Sequence, residues 1–173
     1  MTPAVDKIKA RGKVTAILRN IHTGEERVYE THNIITNAGD VYYAQMAAGE
    51  SPTNDFDSMW LGVADGSSAP DKGNDSDDLD FIANSAKTVK SGYPKTNDDD
   101  PDNTGADTNV VTWTFEWGAA DFNNAAISDG MIGVGAYGAG EPVLTHFEFT
   151  GGPFAKTASD TLKVIVNHEF EGV

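Results

Sequence analysis

The chain of 173 residues has no cysteine, few basic residues and no long apolar run. Without cysteine it can form neither a disulfide framework nor a thiolate zinc site. Because no apolar run approaches about eighteen residues and the N-terminus lacks an apolar signal core, we expect neither a membrane-spanning helix nor a secretion signal. Lysine and arginine total 12 against 27 acidic residues, a formal net charge of −15. That charge repels nucleic acid and anionic lipid, so the sequence predicts neither as a partner.

Hydrophobic residues fall in short clusters separated by Gly, Asp, Asn, Ser and Thr, which is typical of strands joined by long loops. We therefore predict a mainly-β fold, an antiparallel β-sandwich of jelly-roll-like type with one short α-helix and long acidic loops. The predicted strands lie at 13–21, 26–34, 58–64, 110–117, 126–137, 142–149 and 161–170. The first two form a hairpin, because Gly24 in the intervening HTGE can supply the positive φ of a tight turn.

Two segments give more local expectations. In VVTWTFEW (110–117) the period-2 alternation predicts one face carrying Val111, Trp113, Phe115 and Trp117 toward the core, and Thr112, Thr114 and Glu116 on the other face. In TNAGDVYYAQMAAG (36–49), Asn37 is the expected N-cap and Gly49 the expected end of a helix. The helical stripe expected to pack on the sheet contains Val41, Ala44, Gln45 and Ala48, with Tyr42 and Met46 beside it.

The basic residues are concentrated at the start of the chain. Lys7, Lys9, Arg11 and Lys13 recur at every second position, as along one side of an extended strand or arm. We interpret residues 1–12 as an N-terminal basic arm and 13–173 as one β-sandwich domain with a long loop excursion at about 65–109. These four cations are our candidate partner-binding residues. We expect them to bind an acidic surface of a neighbouring protein, and another copy of the same acidic chain is one such neighbour. The alternative is an exposed strand edge or terminus kept soluble by lysine.

An acidic loop, PKTNDDDPDNTGADTN (94–109), raises the question of a calcium site. Asp100, Asp102 and Thr104 match the first half of a calcium-binding loop, with Gly105 at the turn. The second half fails, because the position of the closing bidentate glutamate is Val111, inside a predicted strand. We predict a solvated loop that is not required to bind calcium, and a looser cation site using Asp98 or Asp107 stays open. No other cofactor is expected.

Nothing in the sequence indicates an enzyme. No serine lies in a nucleophile elbow, and no two of His22, His32, His146 and His168 have the i, i+4 spacing of zinc-binding helices. We expect each histidine to be a surface residue or a satisfied strand residue. The tryptophans leave one binding alternative open, a sugar-binding surface formed by Trp60, Trp113 and Trp117 with Tyr137 and Phe147, against core packing as the ordinary role of aromatics on alternating strands.

The order of four segments is the most specific signal in the chain. They are NIITNAGDVYYAQMAAG (33–49), MWLGVADGSSAP (59–70), VVTWTFEWGAADFNNAAISDGMIG (110–133) and FAKTASDTLKVIVNHEF (154–170). Together they resemble a family of small virion proteins of tailed bacteriophages and prophages, with patterns such as "N-x-x-T-N-x-G" and a closing "K-x-x-x-D-x-L-x-V-x-W". Asn167 stands near the expected aromatic of the last pattern, and the acidic insertion at 71–108 is longer than usual.

The resemblance implies a structural protein of the phage particle without catalytic residues. We expect a capsid decoration or cement protein that binds the major capsid protein and copies of itself, located in the virion after assembly in the host cytoplasm. A tail, collar or fibre-attachment protein is the first alternative. A carbohydrate-binding module or glycan-active enzyme that uses the tryptophans is the second.

Overall fold

In a computed structural model, which describes residues 8–96 and 108–172, the chain is mainly β-structure with one α-helix and a curled antiparallel sheet. The mainly-β class with a single short helix is therefore confirmed. The elements in chain order are β1 (Ile8–Asn20), β2 (Glu26–Ile35), α1 (Asn37–Ala47), β3 (Ser58–Gly62), β4 (Lys87–Thr88), β5 (Lys95–Thr96), β6 (Val110–Trp117), β7 (Asn124–Ile127), β8 (Asp129–Gly133), β9 (Thr145–Glu148), β10 (Phe154–Lys156) and β11 (Asp160–Gly172).

Nine strands of the described chain form one antiparallel sheet in the order β4-β3-β8-β9-β2-β1-β11-β6-β5. The two end strands, β4 and β5, are close neighbours in the chain, and the amide of Lys90 between them donates to the carbonyl of Thr114 in β6 at 2.8 Å. The sheet therefore curls until its ends meet along segment 87–96. Since open edges invite pairing with other chains, this closure protects the end strands. β7 and β10 form a separate two-stranded sheet.

The predicted hairpin is present as β1 and β2, and its turn follows from its sequence. Gly24 has φ +72°, and the Asn20 side-chain oxygen accepts from the amides of His22 and Thr23, both at 3.0 Å. β1 begins at Ile8, five residues before the predicted strand. Residues 8–12, which we assigned to a basic arm, are thus paired with β11 inside the sheet. Residues 1–7, with Lys7, lie outside the described residues.

The N-cap of helix α1 lies one residue before the predicted one. Thr36, rather than Asn37, is the N-cap, because its side-chain oxygen accepts from the amide of Gly39. The helix ends at Ala47, and Gly49 follows with φ +73°, the conformation in which glycine commonly terminates helices. At 11 residues α1 is too short to cross a bilayer, and the described chain contains no helix that is long and apolar enough to do so.

The face that α1 turns to the sheet differs from the prediction. Tyr42 is 8% exposed and packs edge-on against Phe56 at 5.4 Å, whereas Val41 is 51% exposed. The predicted inward stripe is wrong because the two adjacent tyrosines face the core. The stripe residues outside the core are Val41, Ala44 and Ala48, all exposed, and Gln45, partly exposed.

The main core lies inside the curled sheet and contains the alternating face of β6. Trp113, Phe115 and Trp117 belong to it, as predicted, with strand residues contributed from both halves of the sheet. Thr112 and Thr114 point to the opposite face but are also fully buried. The alternation therefore identified the direction of the side chains correctly, although both faces of this strand are covered.

A smaller apolar cluster lies on the outer side of β3 and β8. It contains Trp60 and Met131 from the strands, covered by Leu79, Phe81, Tyr137 and Val143. Residues 63–82 and 134–143, which we call the cover segments, thus close this half of the outer sheet surface. Tyr137 stacks on Phe81 with ring centroids 4.2 Å apart, and its hydroxyl donates to the carbonyl of Ser76 at 3.0 Å.

Candidate interaction surface

The outer side of the β1–β2 hairpin is the part of the described sheet that nothing covers. Side chains alternate along each strand, so the odd-numbered residues of β1 and the even-numbered residues of β2 share this side, which we call the hairpin face. None of its side chains is buried. Its members are Lys9, Arg11, Lys13, Thr15, Ile17 and Arg19 from β1, and Glu26, Val28, Glu30, His32 and Ile34 from β2.

The flanking outer surfaces are covered to a greater extent. Cover segments lie over β3 and β8 on one side. On the other side, the outward residues Thr114 of β6 and Ile165 of β11 are at most 6% exposed, although Lys163 and Glu169 of β11 stay partly exposed. An uncovered sheet face that carries aliphatic side chains is a place where apolar surface stays in contact with water. The hairpin face is therefore the first candidate for contact with another molecule.

The hairpin face differs from the rest of the molecule in charge. It carries four cations, Lys9, Arg11, Lys13 and Arg19, and two anions, Glu26 and Glu30, in a chain of net charge −15. Three of the four predicted partner-binding residues, Lys9, Arg11 and Lys13, do share this face. The fourth, Lys7, lies outside the described residues.

Three of the four cations form ion pairs, which the sequence did not reveal. Lys13 is 2.7 Å from Glu30, Arg19 is 3.9 Å from Glu26, and Arg11 is 3.4 Å from Glu171 of β11. All three pairs are largely exposed, where an ion pair contributes about 0–1 kcal/mol. These pairs therefore place positive and negative side chains next to each other on the surface but contribute little to the stability of the fold.

Aliphatic side chains occupy the middle and the rim of the hairpin face. Val28 is 57% exposed beside the partly buried Ile17, and Ile34 and Ile21 are 36% and 51% exposed at opposite ends. Two surface depressions flank them, one of about 460 Å³ beside Ile17 and Arg19 and one of about 620 Å³ beside Lys9 and Lys13. The face thus combines protruding aliphatic groups with hollows.

A chain of buried polar groups fixes α1 to the sheet just behind the hairpin face. The amide nitrogen of Asn33 is 2.6 Å from Nε2 of His168, and Nδ1 of His168 is 2.6 Å from the hydroxyl of Tyr43. Since the amide can only donate, Nε2 accepts and Nδ1 carries the proton. Trp113 Nε1 also donates to Tyr43, at 3.1 Å. Burial lowers the pKa of His168 to about 3, so the imidazole is neutral.

A second buried histidine lies beneath the cover segments. His146 Nδ1 donates to the side-chain oxygen of Asn74 at 2.9 Å, and Nε2 is 3.6 Å from a carboxylate oxygen of Asp129. Both His146 and Asp129 are at most 2% exposed. The pair is sealed from solvent on all sides, so its arrangement suits attachment of the cover rather than contact with a substrate.

Lys156 is a buried cation that no pattern in the sequence indicated. It is 1% exposed, and its ammonium donates to the carbonyls of Phe122 and Ala119 at 2.8 and 3.3 Å. Burial lowers the pKa of Lys156, and the nearby Asp121 and Asp160 oppose that shift. The lysine ties the loop after β6 to β10, a structural role.

The remaining candidate sites are metal sites, and the residues predicted to bind calcium lie outside the described part of the chain. The calcium candidates Asp100, Asp102 and Thr104, with Asp98 and Asp107, fall in residues 97–107 and are not described. Within 8–96 and 108–172, no group of three or more His, Asp or Glu side chains is arranged to hold a metal ion.

The tryptophans form no surface for sugar. Trp60, Trp113 and Trp117 are at most 2% exposed and Phe147 is fully buried, so all four are core residues. Tyr137, the fifth aromatic considered for such a surface, is held in the cover segments by stacking on Phe81.

Comparison with known proteins finds no matching family model, no matching curated protein and no matching solved structure.

Proposed function

We propose that this protein is a structural component of a bacteriophage virion, a capsid decoration or cement protein that binds the shell and neighbouring copies. The observation that carries the proposal is the hairpin face, an uncovered aliphatic surface with a local excess of cations on an otherwise acidic molecule. Such a face can bury apolar area against another protein, while the acidic remainder keeps particles apart.

The residues that carry the family resemblance have structural roles in this fold, which agrees with a non-catalytic protein. Thr36 caps α1, and a Cβ at Gly39 would collide with the carbonyl oxygen of Leu144. Asp160 accepts from both the amide and the hydroxyl of Thr157, at 2.9 and 2.6 Å, to form the turn before β11. These positions fix the start of α1, its packing on the Leu144 backbone and the turn before β11, which supports a structural role for the segments that carry the resemblance.

The jelly-roll-like sandwich is part of the same proposal. Met59, Ile132 and Phe147 from β3, β8 and β9 pack in one core with Val14 and Val164 from β1 and β11. Strands from both halves of the curled sheet thus contribute to one apolar core, and this shared core supports the proposed sandwich arrangement.

Copy number tests the decoration role against its nearest alternative. We expect quantitative mass spectrometry of purified virions from the encoding phage or induced prophage to find the chain at a level comparable with the major capsid protein. A level matching the tail proteins would assign it to the tail, collar or fibre attachment instead. Absence from purified particles would contradict the proposal. A glycan-array screen serves as an independent check, and we expect no tight binding.

A further inference from the structure

We propose that the hairpin face binds the same face of a second copy of this chain, the two being related by a two-fold axis parallel to β1 and β2. The inference rests on the proposed function in one respect, since it identifies the surface by which neighbouring copies would meet. The physical argument is independent of the particle, because it uses only the register, charge and exposure of the hairpin.

The register makes the face self-complementary. Across the hairpin, Ile17 is opposite Val28 and Arg19 is opposite Glu26. A two-fold rotation exchanges the two strands without changing the height along them, so β1 of each copy meets β2 of the other. Ile17 then faces Val28 of the second copy, and Arg19 faces Glu26 of the second copy. Apolar groups meet apolar groups and opposite charges meet twice, as an isologous interface requires.

Charge also favours a second copy over a polyanion. All four cations of the face are on β1, and both anions, Glu26 and Glu30, are on β2. A nucleic acid or an anionic membrane laid on the hairpin would meet those glutamates and the aliphatic Val28 beside the cations. A second copy places its cationic strand β1 over β2, with Arg19 opposite Glu26 and the neutral Thr15 opposite Glu30, which is electrostatically complementary.

The size of the face predicts weak association. Eight cross-strand pairs join β1 and β2, so at usual strand spacings the footprint is on the order of 300–400 Å² per copy, about half of a standard interface. The net charge of −15 on each copy adds long-range repulsion. Salt screens that repulsion over about 8 Å at physiological ionic strength, so the dimer should strengthen from low to moderate salt.

Sedimentation velocity of the full chain over a wide concentration range, at low and moderate salt, tests the dimer. We expect a reversible monomer–dimer equilibrium that salt strengthens. Val28→Glu should weaken it about tenfold or more, because it places a charged side chain against the apolar Ile17 of the second copy. The matched control is Val41→Glu on α1, since Val41 is 51% exposed against 57% for Val28 but lies away from the hairpin face. The control should dimerise like the wild type.

A charge-reversal pair makes the test specific to the proposed geometry. Arg19→Glu alone places two glutamates together twice in a homodimer, and Glu26→Arg alone places two arginines together twice, so each should be monomeric. An equimolar mixture should form a heterodimer, in which both contacts again join opposite charges. Circular dichroism should show every variant folded, because Arg19 and Glu26 are an exposed pair.

Three results would overturn the inference. One is a wild-type chain that stays monomeric at every concentration and salt. Another is equal weakening by Val28→Glu and Val41→Glu, and the third is a reversal mixture that fails to associate. If the wild type is monomeric but Val28→Glu no longer binds undecorated particles, the face binds the shell rather than a copy. That outcome rejects the dimer and leaves the proposed function standing, while abundance of the chain in virions tests the function separately.

Discussion

Trp113 shows how one side chain links the core to the helix. It is fully buried, and its indole nitrogen donates to Tyr43. We expect Trp113→Ala to lower the free energy of unfolding by about 3–5 kcal/mol, because it leaves a large cavity in the core. Trp113→Phe, which keeps most of the ring but loses the donor, should cost about 1–2 kcal/mol. Urea unfolding at neutral pH measures both, and wild-type stability of the alanine variant would contradict the core assignment.

His168 should make the protein sensitive to acid. Burial lowers its pKa to about 3, below the value of about 6.5 in an unfolded chain. Between these values the unfolded chain binds the extra proton, so the contribution of His168 is complete above about pH 6.5 and is lost as pH falls toward 3. At pH 4 the loss is about 3 kcal/mol.

Urea unfolding of matched variants at pH 7 and pH 4 tests this linkage. His168→Gln should be less stable at pH 7, because the buried network is broken, but should lose less stability than the wild type between the two pH values. His22→Gln, at an exposed position in the hairpin turn, is the control and should follow the wild type. Equal pH dependence in all three proteins would show that His168 is not the titrating group.

At the scale of elements, sequence patterns located strands better than they located surfaces. Alternation in β6 correctly predicted which side Trp113 faces, and Gly24 correctly marked the hairpin turn. The helix was found, but its buried face was wrong, because Tyr42 is oriented by partners distant in sequence. Hydrophobic periodicity assumes one covered face, and β3 is buried on both sides by the core and the cover segments.

The sequence predicted only part of the hairpin face, because sequence spacing does not show which strands become neighbours. Spacing alone placed Lys9, Arg11 and Lys13 on one side of an extended segment. It could not show that β1 is an interior strand, that Glu30 and Glu171 pair with these cations, or that Val28 completes the face. Those facts depend on which strands become neighbours, and β1 and β11 are separated by most of the chain.

Lys156 links strand β10 to the loop that follows β6. Its ammonium satisfies the carbonyls of Ala119 and Phe122 in the loop after β6. We expect Lys156→Met, which keeps the aliphatic stem, to cost about 1–3 kcal/mol, since buried carbonyls are left without a donor. Lys87→Met is the control, because Lys87 makes only a partly exposed ion pair with Asp121 and should cost about 0–1 kcal/mol. Equal losses by thermal or urea unfolding would rule out the buried role.

At the scale of the whole molecule, the charge of −15 sets how ions affect stability. Acidic side chains repel one another more in the compact state than in the unfolded chain, so any cation that screens them should raise the melting temperature. Calcium should act only through this screening, because the half-motif at Asp100, Asp102 and Thr104 lacks its closing glutamate. We therefore expect millimolar calcium and millimolar magnesium to raise the melting temperature equally, and EDTA to leave it unchanged. A specific calcium site would instead raise the melting temperature by more than a few degrees beyond the rise with magnesium, and this additional rise would saturate with calcium concentration.

A variant with asparagine at Asp100 and Asp102 would then locate the calcium site. Loss of the calcium-specific rise would place the ion in that loop, and persistence of the rise would place the ion elsewhere.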